Sequence, residues 1–167
     1  MYLRYKKLTM NWQEVCENKY LQNLPFKIEL NNFGQIVMSP AKKKHSVYQG
    51  EIEHLLRLLK KSGKVFPECP IQTNDDVKVA DVIWMSLERY QQTEDEDVLS
   101  IAPEICIEIK SAGNTQAEMM QKKNLCLEAR AVEVWFCSEQ GIISFYNQHG
   151  QLNQSILVPD FPAQVEI

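Results

Sequence analysis

No stretch of this sequence is long and apolar enough to span a bilayer, which excludes a helical membrane protein. Residues 1–10 hold Arg4, Lys6 and Lys7, but no apolar segment follows, so no secretory leader is expected. The five cysteines (Cys16, Cys69, Cys106, Cys126 and Cys137) are odd in number and form no CxxC pair. Together with His45, His54 and His149 they lack zinc-ligand spacing. Cys106, Cys126 and Cys137 lie in apolar segments, as reduced core thiols of a cytoplasmic protein would. Repeats, low-complexity tracts and linkers are also missing, so the 167 residues are expected to form one domain, 1–167.

Positive charge is not in excess either. A net charge of −4 argues against a protein that coats DNA constitutively and without specificity. The distribution is uneven: Lys42, Lys43 and Lys44 form one basic run, and Lys60, Lys61 and Lys64 another. Acid gathers in a polar loop at Glu94, Asp95, Glu96 and Asp97. An acidic protein can still present a basic rim around an acidic centre.

The hydropathy pattern predicts a helix from a Thr9 cap to about Glu17, with Trp12, Val15 and Cys16 on its apolar side. A hairpin follows: Phe26–Leu30, a turn at Asn31–Gly34, and Gln35–Met38, ended by Pro40. The clearest helix runs from Ser46 to about Lys61, with Tyr48, Ile52, Leu55, Leu56 and Leu59 on one face. Pro67 and Pro70 mark 64–72 as an edge or irregular strand. Val77–Met85 is a strong strand and Ile105–Lys110 another. Thr115 caps a helix to about Ala129, and Val132–Cys137 is a bulky strand. Ile142–Asn147 and a last strand near Ser155–Val158 complete the series. Trp12, Trp84 and Trp135 are expected in the core. This order predicts a mixed central sheet with helices on its faces, an α/β (α+β) fold in which 105–137 is a strand–helix–strand crossover.

One tripeptide stands out in this frame. Ile105, Ile107 and Ile109 alternate with Cys106, Glu108 and Lys110, so Glu108 and Lys110 are expected on one side of the strand. An acid and an amine on an apolar strand need a partner, a metal or a shifted pKa. Asp81 supplies a second acid if its strand is a neighbour. Two carboxylates and a lysine are the minimal set for binding Mg²⁺ and activating water against a phosphodiester. By itself the tripeptide is more often the mark of a solvated strand face or a weak ion pair than of a site.

The chain resembles the Uma-type putative restriction endonuclease family of the PD-(D/E)XK nuclease superfamily. An ordered series of short stretches carries the resemblance. Asn11–Val15 is similar to the family's opening helix, and Lys27–Leu30 with Gly34 and Ile36–Pro40 to its first hairpin. His45 opens the long helix. Ala80-Asp81-Val82 falls where the family has Pro-Asp-Val, and Glu108–Ser111 on its central acidic strand. Lys122 and Glu133-Val134-Trp135 close the series, which covers about 9–146. Three departures stand against it: Ala80 for proline, Cys126 for an aromatic residue, and Arg130 where glycine commonly ends a helix.

The resemblance implies a restriction-endonuclease-like fold and a metal-dependent DNA endonuclease. Asp81, Glu108 and the Ile109 carbonyl would hold Mg²⁺ (or Mn²⁺), and Lys110 would orient the attacking water and help to deprotonate it. DNA is the implied partner, and a homodimer would suit cleavage of both strands. Lys122 is either a second phosphate-facing cation or a snorkelling surface lysine. Glu29 either joins the acidic cluster or is a strand-surface acid. His45 reads as a helix-start or structural histidine rather than a general base. Two rival readings stand beside the endonuclease. One is a non-catalytic nucleic-acid or protein interaction domain retaining the fold; the other is a structural domain with a Glu108–Lys110 ion pair. Geometry separates them: Asp81 and Glu108 must come within reach of one ion, with Lys110 nearby.

Overall fold

The strongest apolar run of the chain, β4 (Asp76–Met85), becomes a strand buried on both faces. The structure is a computed structural model describing residues 9–40, 42–111 and 113–167; the basic residues Arg4, Lys6 and Lys7 lie outside the described residues. Helix α1 (Trp12–Glu17) precedes a separate antiparallel hairpin of β1 (Phe26–Leu30) and β2 (Ile36–Pro40). Helix α2 (Lys43–Leu59) leads to β3 (Lys64–Thr73), β4 and a short α3 (Leu87–Gln92). Next come β5 (Ile105–Ile109), α4 (Gln116–Glu128) and β6 (Glu133–Cys137), then β7 (Ile143–Asn147) and β8 (Gly150–Leu152).

Six strands form one sheet in the order β3-β4-β5-β6-β7-β8. Only β5 and β6 are parallel, and α4 is the crossover between them. All other neighbours in the sheet are antiparallel. Tyr48, Ile52 and Leu56 of α2 pack on one face against Val82, Trp84, Ile107 and Trp135. Met119 and Cys126 of α4 cover the other, against Ile83, Cys106, Val134 and Phe136. The expected mixed sheet with a helix on each face is therefore present. Among the described residues no helix is long and apolar enough to cross a membrane.

Several expectations need correction. Asn11, not Thr9, caps α1, because its side chain accepts the Glu14 N–H while Glu14 bonds back to the Asn11 N–H. Only Val15 of that helix is buried; Trp12 is half-buried and Cys16 exposed. Helix α2 starts three residues before Ser46, and its Leu59 is exposed. Helix α3 was not foreseen; Ser86 caps it by accepting the Arg89 N–H. The acidic loop is tied down in part, since Glu96 accepts from both Ser100 N and Oγ. No strand forms at 155–158. There the Ile156 and Leu157 N–H groups donate to the buried Glu133 carboxylate, which also accepts from Ser155 Oγ and Trp135 Nε1. That carboxylate replaces a strand partner for the segment.

Arg130 resolves one departure from the family pattern. It adopts φ 79°, the left-handed turn that glycine makes without penalty. The helix ending survives: Arg130 N–H bonds Leu127 O and Ala131 N–H bonds Cys126 O. Arg130→Gly is therefore expected to raise stability by about 1 kcal/mol in chemical denaturation. A loss of stability would show that the arginine side chain holds the turn.

Candidate functional site

The site opens where two strands part. Strands β4 and β5 pair at Trp84↔Ile105, Ile83↔Cys106 and Val82↔Ile107. Beyond Val82 that ladder stops, while β5 continues beside β6 to Ile109. The Lys110 N–H bonds Cys137 O on the β6 side. The Ile109 N–H, on the opposite edge, donates to Asp81 Oδ2 at 2.7 Å. In this register Asp81 and Glu108 would be the next pair. Two carboxylates thus stand side by side at a gap in the sheet, each with a side chain at most 6 % exposed.

The hairpin and α4 bring cations to this gap. Lys78 Nζ donates to Leu30 O at 2.8 Å and Glu29 Oε1 accepts the Val79 N–H at 2.8 Å, which seats β1 on β4. Lys27, two residues before Glu29 and on the same side of β1, then reaches both acids. Its Nζ lies 2.5 Å from Asp81 Oδ1 and 3.8 Å from Glu108 Oε2. From α4, Lys122 Nζ lies 2.8 Å from Glu108 Oε2 and 2.6 Å from Glu29 Oε1, and donates to Val79 O at 2.9 Å. His45, in the first turn of α2, places Nε2 3.4 Å from Asp81 Oδ1. Gln49, one turn on, donates to Asp81 O at 2.7 Å and Glu68 Oε1 at 2.9 Å. These groups line one cleft of about 810 Å³ between the hairpin, α2 and α4.

The two acids sit in different fields. Burial dominates at Glu108 and, with Asp81 and Glu29 adding repulsion, pushes its pKa up to about 7 despite Lys122 and Lys27. Burial also opposes ionisation of Asp81, but Lys27, the His45 hydrogen bond and Lys122 hold it well below the usual carboxylate range. Burial likewise opposes ionisation of Glu29, yet Lys122 and Lys27 keep its pKa low. Burial disfavours the Lys122 cation, but Glu108, Glu29 and Asp81 outweigh it and raise its pKa. Bonding to Asp81 raises that of His45.

Of the residues singled out in the sequence, Asp81, Glu108, Glu29 and Lys122 meet in this cleft. Lys122 faces the acids rather than snorkelling to the surface. Lys110 stands apart: it is half-buried, does not line the cleft, and its ammonium bonds to no described residue. Sequence reasoning missed Lys27, Gln49 and Glu68, and it kept His45 away from the chemistry. The signal for Lys27 was its period-2 relation to Glu29. Glu68 carried none, because its side chain is directed by an irregular backbone, φ 52° between two prolines' strand segments.

The donor set suits a hard divalent cation. Oxygen donors predominate, and Glu108 Oε1 is buried with no hydrogen-bond partner. An additional positive charge at the gap would satisfy that oxygen and favour ionised Glu108.

A fold of this kind occurs in a solved structure. The crystal structure of a putative nuclease belonging to DUF820 from Anabaena variabilis ATCC 29413 superposes with a TM-score of 0.62. The match has 23% identity and covers 71% of this chain and 72% of the other. Residues 12–166 match the Uma2 family, described as putative restriction endonuclease, and the chain belongs to that family. No curated protein matches the chain.

The raised pKa of Glu108 predicts a pH signature. A carboxyl that binds its proton more tightly when folded contributes stability below its unfolded pKa and loses it as pH rises through the folded value. Relative to Glu108→Gln, the wild type should lose about 3 kcal/mol between pH 4.5 and just above pH 7. Denaturation midpoints across that range check this; a difference that is flat with pH would contradict it.

Proposed function

We propose that this chain is a divalent-metal-dependent endonuclease that hydrolyses phosphodiester bonds in DNA. Asp81, Glu108 and the Ile109 carbonyl are the proposed ligands. The observation that carries the reading is the paired, buried carboxylates of Asp81 and Glu108, which share the Lys27 ammonium while Glu108 Oε1 goes unpartnered. Mg²⁺ or Mn²⁺ at that pair would supply Lewis-acid polarisation of a phosphodiester oxygen and acidify water.

The chain's own groups supply the rest. The Ile109 N–H fixes the Asp81 carboxylate, leaving Oδ1 turned toward the cleft cations. Lys122, anchored by Glu29 and the Val79 carbonyl, keeps positive charge beside Glu108, where an anionic phosphate must approach. Lys110, two residues beyond Glu108, is the proposed group that orients the attacking water and offsets charge on the phosphorane; its side chain does not line the cleft in this structure, so the role requires it to swing in. The exposed Lys42, Lys43 and Lys44 flank the α2 end of the cleft as a basic rim for the DNA backbone. A homodimer is the proposed assembly for cutting both strands. The four buried free thiols suit a reducing, cytoplasmic setting.

One observation favours a second reading, a non-catalytic nucleic-acid or protein interaction domain. Lys27 and Lys122 already partner the acids, so the cluster can stand without an ion. Cleavage of plasmid DNA with Mg²⁺ or Mn²⁺ separates the two. The endonuclease reading expects nicking by the wild type and a loss of at least about a hundredfold in Asp81→Ala and Lys110→Ala. Equal activity in all three proteins would mean a contaminant. A folded wild type that binds DNA without cutting it would support the interaction domain.

A further inference from the structure

We propose that the outer face of α2 is a track for the phosphate backbone of duplex DNA. It carries the double strand that flanks the bond cut in the cleft; the cut itself rests on the endonuclease reading above.

Helix α2 buries one stripe, Tyr48, Ile52 and Leu56, against the sheet. Opposite that stripe, at helical spacing, stand Lys43, Gly50, His54 and Arg57, all exposed. Lys61, just past the end of the helix, is exposed too. No acid interrupts this line. Residues 42–64 hold seven lysines and arginines against two glutamates, a net charge of +5 in a chain of net −4, so the remainder carries −9. A merely solvated face in so acidic a chain would mix acids among its lysines. Glu51 and Glu53 only flank the line, both half-buried, and Glu53 is taken up by Arg57 at 2.7 Å. Arg57 nevertheless keeps its side chain 53% exposed. Among the described residues Lys42, Lys43, Lys44 and Lys61 enter no ion pair. Lys43 and Lys44 also sit in the first turn of α2, where the helix dipole disfavours cations and no acid offsets them. An anion laid along this face removes that conflict.

The shape of the line identifies the anion. It starts at the cleft, which Lys42 lines. From Lys43 to Arg57 it runs about 21 Å, the length of about six base pairs. Midway, nothing lies within 4 Å of where a Cβ on Gly50 would be, so a phosphate can come close to the helix there. No phenylalanine, tyrosine or tryptophan stands on the line, so unpaired bases would find no stacking platform. A duplex, which offers its phosphates and keeps its bases inside, fits such a surface. An anionic membrane would meet the same charge, but the apolar stripe of α2 is already committed to the core. Only Val47 and Leu58 remain as exposed apolar side chains beside the line.

The probe is a labelled duplex oligonucleotide longer than the track, in EDTA to prevent cutting, followed by fluorescence anisotropy across a salt series. The wild type should bind it with strong salt dependence, and bind the single strand of the same sequence more weakly. Lys43→Gln/Lys61→Gln should lower the slope of log affinity against log salt by about two. Gly50→Glu should weaken duplex binding at least about tenfold at low salt, while Gly50→Ala should stay within about twofold of the wild type. Circular dichroism melting verifies that the variants are folded; the space at Gly50 is open. Unchanged duplex binding in either charge variant would overturn the track, and plasmid cleavage by the wild type would then leave the endonuclease reading intact. Weakened binding in both variants, with no cleavage by the wild type in Mg²⁺ or Mn²⁺, would leave the track standing and overturn that reading instead. A single strand bound as tightly as the duplex would overturn the duplex assignment. No duplex binding by the wild type at low salt, or binding to phosphatidylserine vesicles in its place, would overturn the track outright.

Discussion

The hydrogen bond from the Ile109 N–H to Asp81 Oδ2 holds the site open. It stands where a backbone bond between β4 and β5 would otherwise continue the ladder. A carboxylate in that place satisfies the amide and keeps the two strands apart. It also leaves one Asp81 oxygen directed at the cleft, where Lys27 and His45 meet it. Glu108 is exposed to the same gap because it lies one residue before Ile109 on the strand. Remove this bond and the acids lose both their spacing and the reason for the cleft.

Burial then sets the chemistry. Glu108 is nearly enclosed, and its ionised form is tolerated only through Lys122 and Lys27. Charges withdrawn from water are costly to leave unpaired, so the hairpin and α4 are bound to the sheet partly through this cluster. Glu29 shows the coupling: one oxygen accepts the Val79 N–H and also meets Lys122. The hairpin, the crossover helix and the central strands are joined at the polar centre rather than through the apolar core alone.

The sheet was largely legible because apolar runs of strand length report burial on two faces, as in Val77–Met85 and Ile105–Ile109. The crossover was legible from Thr115, which caps α4 in a box that Glu118 completes in the structure. Helix α3 was not, because Leu87–Gln92 buries no residue and so shows no apolar face. The segment 155–158 misled because its apolar residues suggest a strand, while its amides are taken by a distant carboxylate, Glu133. Within the site, Asp81 and Glu108 were readable as acids on apolar strands. Lys27 and Glu68 were not: on a half-exposed hairpin and an edge strand, charged residues are ordinary. Only the packing of β1 on β4, and the irregular backbone at Glu68, brings them to the acids.

In the proposed site, Asp81 and Glu108 would together hold a divalent cation in place of the Lys27 ammonium. Anomalous scattering from Mn²⁺-soaked crystals tests it most directly. A peak bonded to both carboxylates is expected, with Lys27 Nζ moved off Asp81 Oδ1. Crystals saturated with Mn²⁺ that show no peak there, and Lys27 still bridging the two acids, would contradict it.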